Sequence, residues 1–222
     1  LLAGCASHRP APELAPQRFD YARSVGGQSI EVFACGRGEG GVLVLGGVHG
    51  DERGSALLVR TLAERLDCAE HATLTVVPAL NPDGLQAGTR TNARGVDLNR
   101  NMPARSWTPA WVHGDQPLSE PESGALDALL RHVRPALTIS VHEANVPLVD
   151  WDGPAGEAAG AIAVCMDLPL GRIGARPGSL GALLGEDWGW PLVTIELPRA
   201  ASAMDADALW DRYGDCLLEA ID

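Results

Sequence analysis

Apolar positions along the chain fall into short alternating or continuous runs separated by glycine-rich turns, and into longer stretches with helical spacing. Ser29–Ala34 alternates as a strand does, and Gly36–Gly41 turns the chain into a second apolar run, Val42–Leu45. Helical spacing follows from about Arg53 to Leu66, then a strand over Thr73–Pro78. Ser119-Glu120-Pro121-Glu122 places a capping hydroxyl, a first-turn proline and acidic groups where a helix begins, and that helix is expected to run to about Val133. Ala136–Val141 reads as a strand ending at His142, and Pro191–Leu197 as a buried one. Gly178–Gly181 opens a short helix, and Asp205–Ile221 closes the chain as another. Val146–Gly160 reads as loop, and Ala161–Met166 fits helix or strand equally. Strands alternating with helices predict an α/β domain with a largely buried sheet.

Residues 81–113 break this rhythm, being dense in Asn, Gly, Arg and Pro. An irregular stretch this long inside a compact domain is uncommon and tends to carry function. Its two ordered-looking pieces are Asn81-Pro82-Asp83-Gly84 and the run from Arg90 to Asn101.

Composition narrows the function classes. The 222 residues suffice for one sizeable core, and neither an internal repeat nor a second domain is visible. With a net charge of −12 and no basic run, nucleic acid is not an expected partner. All 17 basic residues are arginine, which removes Schiff-base chemistry, Ser-Lys dyads and the P-loop. The opening Leu1-Leu2-Ala3-Gly4-Cys5 resembles a bacterial lipobox, with Cys5 the lipidated residue. Residues 1–20, which contain Pro10, Pro12 and Pro16, are then a signal remnant and flexible tether, and residues 21–222 the catalytic domain. That reading puts the protein on the periplasmic face of a bacterial membrane, the outer membrane first, touching lipid through Cys5 only. Without a lipobox the expectation is cytoplasmic. Cys35, Cys68, Cys165 and Cys216 allow up to two disulfides in three connectivities, and their spacing argues against a cysteine metal site.

Candidate chemistry begins at Gly46-Gly47-Val48-His49-Gly50-Asp51-Glu52, where a strand ends in glycines and presents a histidine and a glutamate three residues apart. The pair can hold two corners of a zinc site, which in catalytic form needs three protein ligands and leaves one position open. His142, also at a strand end, can supply the third, because ligands gather outside the carboxyl ends of strands in open α/β sheets. Glu196 lies in an otherwise apolar run, where a carboxylate is costly unless it is paired or used. A salt bridge to Arg199 is the structural alternative.

These residues, with Asn81-Pro82-Asp83-Gly84, Arg90, Gly95-Val96-Asp97-Leu98-Asn99-Arg100-Asn101 and Thr194-Ile195-Glu196-Leu197, resemble in order the motifs of the zinc metallocarboxypeptidases related to carboxypeptidase A. The resemblance implies a single domain with a mixed, mainly eight-stranded sheet flanked by helices on both faces. It implies one Zn²⁺ per chain on His49, Glu52 and His142, with Asp97 orienting the His49 ring. Glu196 would be the general base, Arg90 the oxyanion stabiliser, and Asn99 with Arg100 the clamp for the substrate's terminal carboxylate. Within the family, Gly88–Gly95, Gly114–Glu122 and Pro177–Gly181 resemble the murein peptide amidase branch. That branch implies a cell-wall (murein) peptide substrate cut between γ-D-glutamate and meso-diaminopimelate. Asp150, Asp152 and Arg176 are candidates, by position, for the pocket that would receive the extra amine and carboxylate of diaminopimelate.

The chain departs from carboxypeptidase A in having no tyrosine on the loop just before the catalytic glutamate, its only tyrosines being Tyr21 and Tyr213. Two other readings use the same residues. One is a zinc deacylase of the succinylglutamate desuccinylase and aspartoacylase kind; the other is a lipid-anchored wall-binding module with an inactive site. Neither the oligomeric state nor the disulfide pairing follows from the sequence.

Overall fold

The computed structural model describes residues 15–36, 39–69 and 73–222. The lipobox reading at Cys5 lies outside the described residues. Seven strands form one mixed sheet: β1 (Gln17–Arg23), β2 (Ser29–Cys35), β3 (Val42–Leu45), β4 (Leu74–Val77), β5 (Leu137–Ala144), β6 (Leu148–Asp152) and β7 (Leu192–Pro198). Five α-helices accompany them: α1 (Arg53–Arg65), α2 (Pro82–Ala87), α3 (Pro121–Val133), α4 (Gly156–Met166) and α5 (Ala206–Ile221). A π-helix spans Ala182–Trp188.

The strand order is β1-β2-β4-β3-β5-β7-β6. The central four, β4-β3-β5-β7, are mutually parallel, and each edge is completed by antiparallel pairing. From β3 the chain crosses to β4 on one side, and β5 later pairs with the other side of β3. That reversal opens a crevice at the carboxyl ends of β3 and β5, the place where such sheets collect ligands.

Strand alternation divides the core. Val44, Val76, Ile139, Val141, Val193 and Ile195 pack against α1, α4 and α5 on one face. Leu43, Leu45, Val77 and Leu192 face α3, Leu98, Met102 and the start of the π-helix on the other. This second face turns polar toward the carboxyl ends, where Ser140, His142, Thr194 and Glu196 replace aliphatic residues. Register puts His142 beside Glu196 on adjacent parallel strands, so both side chains rise from the same face.

Seven strands are described where the resemblance implied mainly eight. The boundary expected at residue 20 falls inside β1, which begins at Gln17 and pairs with β2. Val146–Gly160, expected as loop, contains all of β6 and the first turn of α4, and Ala161–Met166 is helical. Ser119 does not cap α3; Glu120 occupies the cap position and the Ser119 hydroxyl donates to its carboxylate. The cysteines pair as Cys35–Cys68 and Cys165–Cys216, joining β2 to the end of α1 and α4 to α5. Among the described residues no helix is long and apolar enough to cross a membrane.

Candidate active site

His49 is delivered by a turn that only glycines permit. Gly47 has φ +56°, and a Cβ on Gly50 would lie 1.9 Å from the Gly84 carbonyl carbon, so the turn is pressed against α2. Asn81 joins the two. Its side-chain oxygen accepts from Gly84 N–H at 2.9 Å, capping α2, while its backbone N–H donates to Gly47 O at 2.9 Å and its amide nitrogen to Val48 O at 3.3 Å. The Asn-Pro-Asp-Gly motif is thus scaffolding for the His49 turn.

The three expected ligands converge. His49 Nδ1 lies 2.9 Å from Glu52 Oε1, His142 Nδ1 lies 2.9 Å from Glu52 Oε2, and the two Nδ1 atoms are 3.2 Å apart. His49, Glu52 and His142 are 2%, 2% and 3% exposed, so water cannot relieve this crowding. The opposite ring nitrogens are engaged, His49 Nε2 with Asp97 Oδ1 at 3.2 Å and His142 Nε2 with Ser140 Oγ at 3.0 Å. When His49 donates from Nε2 to Asp97, its Nδ1 lone pair points at a carboxylate. Two imidazole lone pairs and a carboxylate aimed at one point are mutually repulsive until a cation joins them. This set of two nitrogens and one carboxylate fits one zinc ion.

The electrostatics follow from that crowding. Burial alone would raise the Glu52 carboxyl, but the His142 and then the His49 imidazole hold it well below the usual carboxylate range. Asp97 behaves alike: burial opposes its charge, and the His49 ring, then Arg90 and Arg100, prevail and lower it. Burial would depress the His49 imidazole, yet Asp97 and Glu52 raise it above its ordinary value.

Around this cluster lies a cavity of about 360 Å³, lined also by Arg90, Asn99, Arg100 and Glu196. Arg90 is fixed by Asp97, Nε to Oδ2 at 3.0 Å, with Nη1 3.6 Å from Glu52. Asn99 is oriented by its oxygen, which accepts from Leu180 N–H at 2.8 Å. Burial lowers the Arg100 guanidinium; the Asp97 charge opposes this, and the charges of Arg90 and Arg176 add to it. Every residue expected in the site therefore borders one space except Asp97, which stands behind His49. Arg199 pairs with Asp51 instead of Glu196, and Glu196 has no ion-pair partner among the described residues. Arg94 lies aside, 3.6 Å from Glu120. A larger groove of about 530 Å³ beside Phe19 and Tyr21 is apart from these groups.

Three contributors were not legible as such in the sequence. Ser140 holds the His142 ring. Glu143 accepts from Gly54 N–H at 2.6 Å and Ser55 N–H at 3.2 Å, satisfying the start of α1 just after Glu52. Asn101 donates to His113 O and Gln116 O, folding the irregular stretch back on itself. The signal for the first two is parity, since Ser140 alternates with Ile139 and Val141 on the face of His142, whereas Glu143 is a carboxylate on the apolar face of those two residues.

Comparison with known proteins agrees with this geometry. The profile of the succinylglutamate desuccinylase/aspartoacylase catalytic domain matches residues 40–138. Murein peptide amidase A of Escherichia coli (strain K12) is 36% identical over 213 residues, covering 84% of each chain. Its namesake in Vibrio campbellii is 32% identical over 192 residues, covering 77% of this chain and 75% of that one. The crystal structure of murein-tripeptide amidase from Escherichia coli O157 superposes with a TM-score of 0.81 at 29% identity, covering 96% of this chain and 97% of that one. Carboxypeptidase A of Helicoverpa armigera shares the fold at 18% identity, with a TM-score of 0.71 over 93% of this chain and 68% of its own. With its metal-binding cluster and its identity to these amidases across most of both chains, the protein belongs to the murein peptide amidase A family of zinc metallocarboxypeptidases.

Proposed function

We propose that this protein is a zinc-dependent amidase that hydrolyses a peptide bond in murein peptides, the bond between γ-D-glutamate and meso-diaminopimelate. The observation that carries the reading is the convergence of His49, Glu52 and His142 beside Glu196 and an arginine cluster, in a chain so similar to murein peptide amidases. His49, Glu52 and His142 would hold the zinc ion. When bound, the ion supplies Lewis acidity, activating water and polarising the scissile carbonyl.

The chain's own residues do the rest. Asn99 and Arg100 receive the terminal carboxylate of the substrate, a planar anion suited to a guanidinium fork. Arg90, held by Asp97, donates toward the oxygen that gains charge as the carbonyl is attacked. Glu196 takes the proton from the attacking water as the C–O bond forms, and returns it to the nitrogen as the C–N bond breaks. No ion pair competes for that carboxylate among the described residues.

The family profile over residues 40–138 includes His49, Glu52, Asn99 and Arg100, which a zinc deacylase of N-acyl amino acids shares. It stops before His142 and Glu196. The amidase relatives span both halves of the site and so favour the peptidase reading.

For localisation, the lipobox-like Leu2-Ala3-Gly4-Cys5 supports a lipoprotein on the periplasmic face of a membrane. Two disulfides suit an oxidising compartment. Metabolic labelling with a palmitate analogue tests it: wild type is labelled and Cys5→Ala is not, and an unlabelled wild type contradicts the anchor.

Glu196→Gln is the test of the chemistry. It should retain one zinc per chain and lose about 100-fold or more in turnover of a γ-D-glutamyl-meso-diaminopimelate peptide. Near-normal turnover would remove Glu196 from the reaction.

A further inference from the structure

Asn92 does not border the cavity, yet it is only 3% exposed and its carboxamide makes every hydrogen bond open to it. Its oxygen accepts from Arg94 N–H at 3.0 Å and from Val96 N–H at 3.1 Å. Its nitrogen donates to Glu120 Oε2 at 2.8 Å and to Glu122 Oε2 at 3.2 Å. With backbone donors on one side and carboxylates on the other, the amide has a single satisfied orientation.

The two carboxylates stand at the start of α3 and are themselves buried. Buried carboxylates are costly without partners, and these are provided for: Glu120 also accepts from the Ser119 hydroxyl at 2.8 Å, and Glu122 from Val25 N–H at 3.0 Å. The backbone N–H of Glu120 meanwhile donates to Asn101 Oδ1 at 3.2 Å. One helix start thus holds the irregular stretch at two points, residue 92 and residue 101.

Asn92 also closes the turn over residues 92–96, its backbone N–H donating to Val96 O at 2.9 Å. The chain reverses there, which brings Arg90, two residues before Asn92, to Asp97, one residue after Val96, with Nε 3.0 Å from Oδ2. The Arg90 side chain is exposed, and its other ion-pair contact, to Glu52, is longer at 3.6 Å. Its direction therefore depends on Asp97, and so on the turn that Asn92 closes.

We infer that Asn92 is a positioning residue: anchored on Glu120 and Glu122, it sets the placement of the Arg90 guanidinium through the Arg90–Asp97 pair. The inference rests on the proposed reaction for the task of Arg90, but not for its placement. Asn101 keeps its own tie to Glu120, so loss of the Asn92 anchor leaves Asn99 and Arg100 in place. The consequence is a split in which turnover suffers and substrate binding does not.

Asn92→Asp separates the anchor from the turn. It keeps an oxygen for the Arg94 and Val96 N–H groups and replaces the two donors with a third carboxylate. In zinc-loaded protein the Arg90 Nε–H resonance is followed by NMR, assigned by its absence from Arg90→Ala. Its hydrogen exchange should be at least about tenfold faster in Asn92→Asp than in wild type. On a substrate that wild type cleaves, kcat should fall at least about tenfold, with KM within about twofold and one zinc per chain retained. Added to Arg90→Ala, the same substitution should cost nothing further, because the route it acts through is already gone. Unchanged exchange at Arg90 overturns the inference, as does a loss of kcat that adds in full to that of Arg90→Ala. Should Asn92→Asp fail to fold, Asn92→Ser is measured in the same way, and failure of both overturns the inference by assigning Asn92 to the fold alone. Failure of the proposed reaction has a different signature, an uncleaved tripeptide beside an Arg90 resonance that still responds to Asn92→Asp.

Discussion

At the scale of single residues, the site concentrates charged and polar groups whose burial costs the fold. His142→Ala removes one of three zinc donors, and elemental analysis should show loss of stoichiometric metal; a variant that still carries one zinc per chain would contradict the ligand assignment. Asp152 makes the cost measurable. Burial first, then the charges of Asp150 and Glu186, push its carboxyl up to about 6, while Arg172 opposes them. Arg176 and Glu196 border the same space. Since the folded pKa exceeds the unfolded one, the neutral acid is favoured by folding, and stability falls as pH rises through about 6. Asp152→Asn should therefore raise Tm above that pH by about 2–4 °C, the gain vanishing below the ordinary Asp value. An unchanged Tm at every pH would show that Asp152 is satisfied in the free protein.

At the scale of elements, the site depends on close approach between the His49 turn and α2. Gly50→Ala should cost about 1–3 kcal/mol and weaken zinc binding, because its methyl group would enter the Gly84 backbone. Denaturant unfolding alongside a zinc titration reads both effects, and a variant with wild-type values in each would show that the turn can move. Elements with a clean period were legible in the sequence: α1, α5, β5 and β7 lie within a residue or three of their expected bounds. β6 was not, because its alternation of Val149 and Trp151 with Asp150 and Asp152 spans only four residues, too short to stand out. The Gly153-Pro154 pair after it reinforced the loop reading. β1 was hidden for another reason. It is an edge strand with most residues exposed, so its alternation is weak, and it follows a proline-rich stretch. The metal ligands were legible because their chemistry is local to a strand end, whereas Glu143 acts through Gly54 and Ser55, which only the tertiary fold brings near.

At the scale of the whole molecule, two disulfides tie helices to the sheet and to each other across sequence separations of 33 and 51 residues. In the chain-entropy picture each contributes about 4 kcal/mol, so reduction should lower Tm markedly. A reduced protein that melts with the oxidised one would show both bonds to be dispensable. The sheet reversal between β3 and β5 sets where the metal-binding side chains meet, and the proposed clamp of Asn99 and Arg100 would set which end of a peptide is held. Activity should accordingly disappear with a chelator and return with zinc. The most direct measurement is product analysis by mass spectrometry after the zinc-loaded protein is incubated with L-Ala-γ-D-Glu-meso-diaminopimelate and, separately, with an N-acyl amino acid. Release of free meso-diaminopimelate with the N-acyl amino acid left intact is the predicted result. An intact tripeptide beside a hydrolysed N-acyl amino acid would contradict the peptidase reading and make this a deacylase.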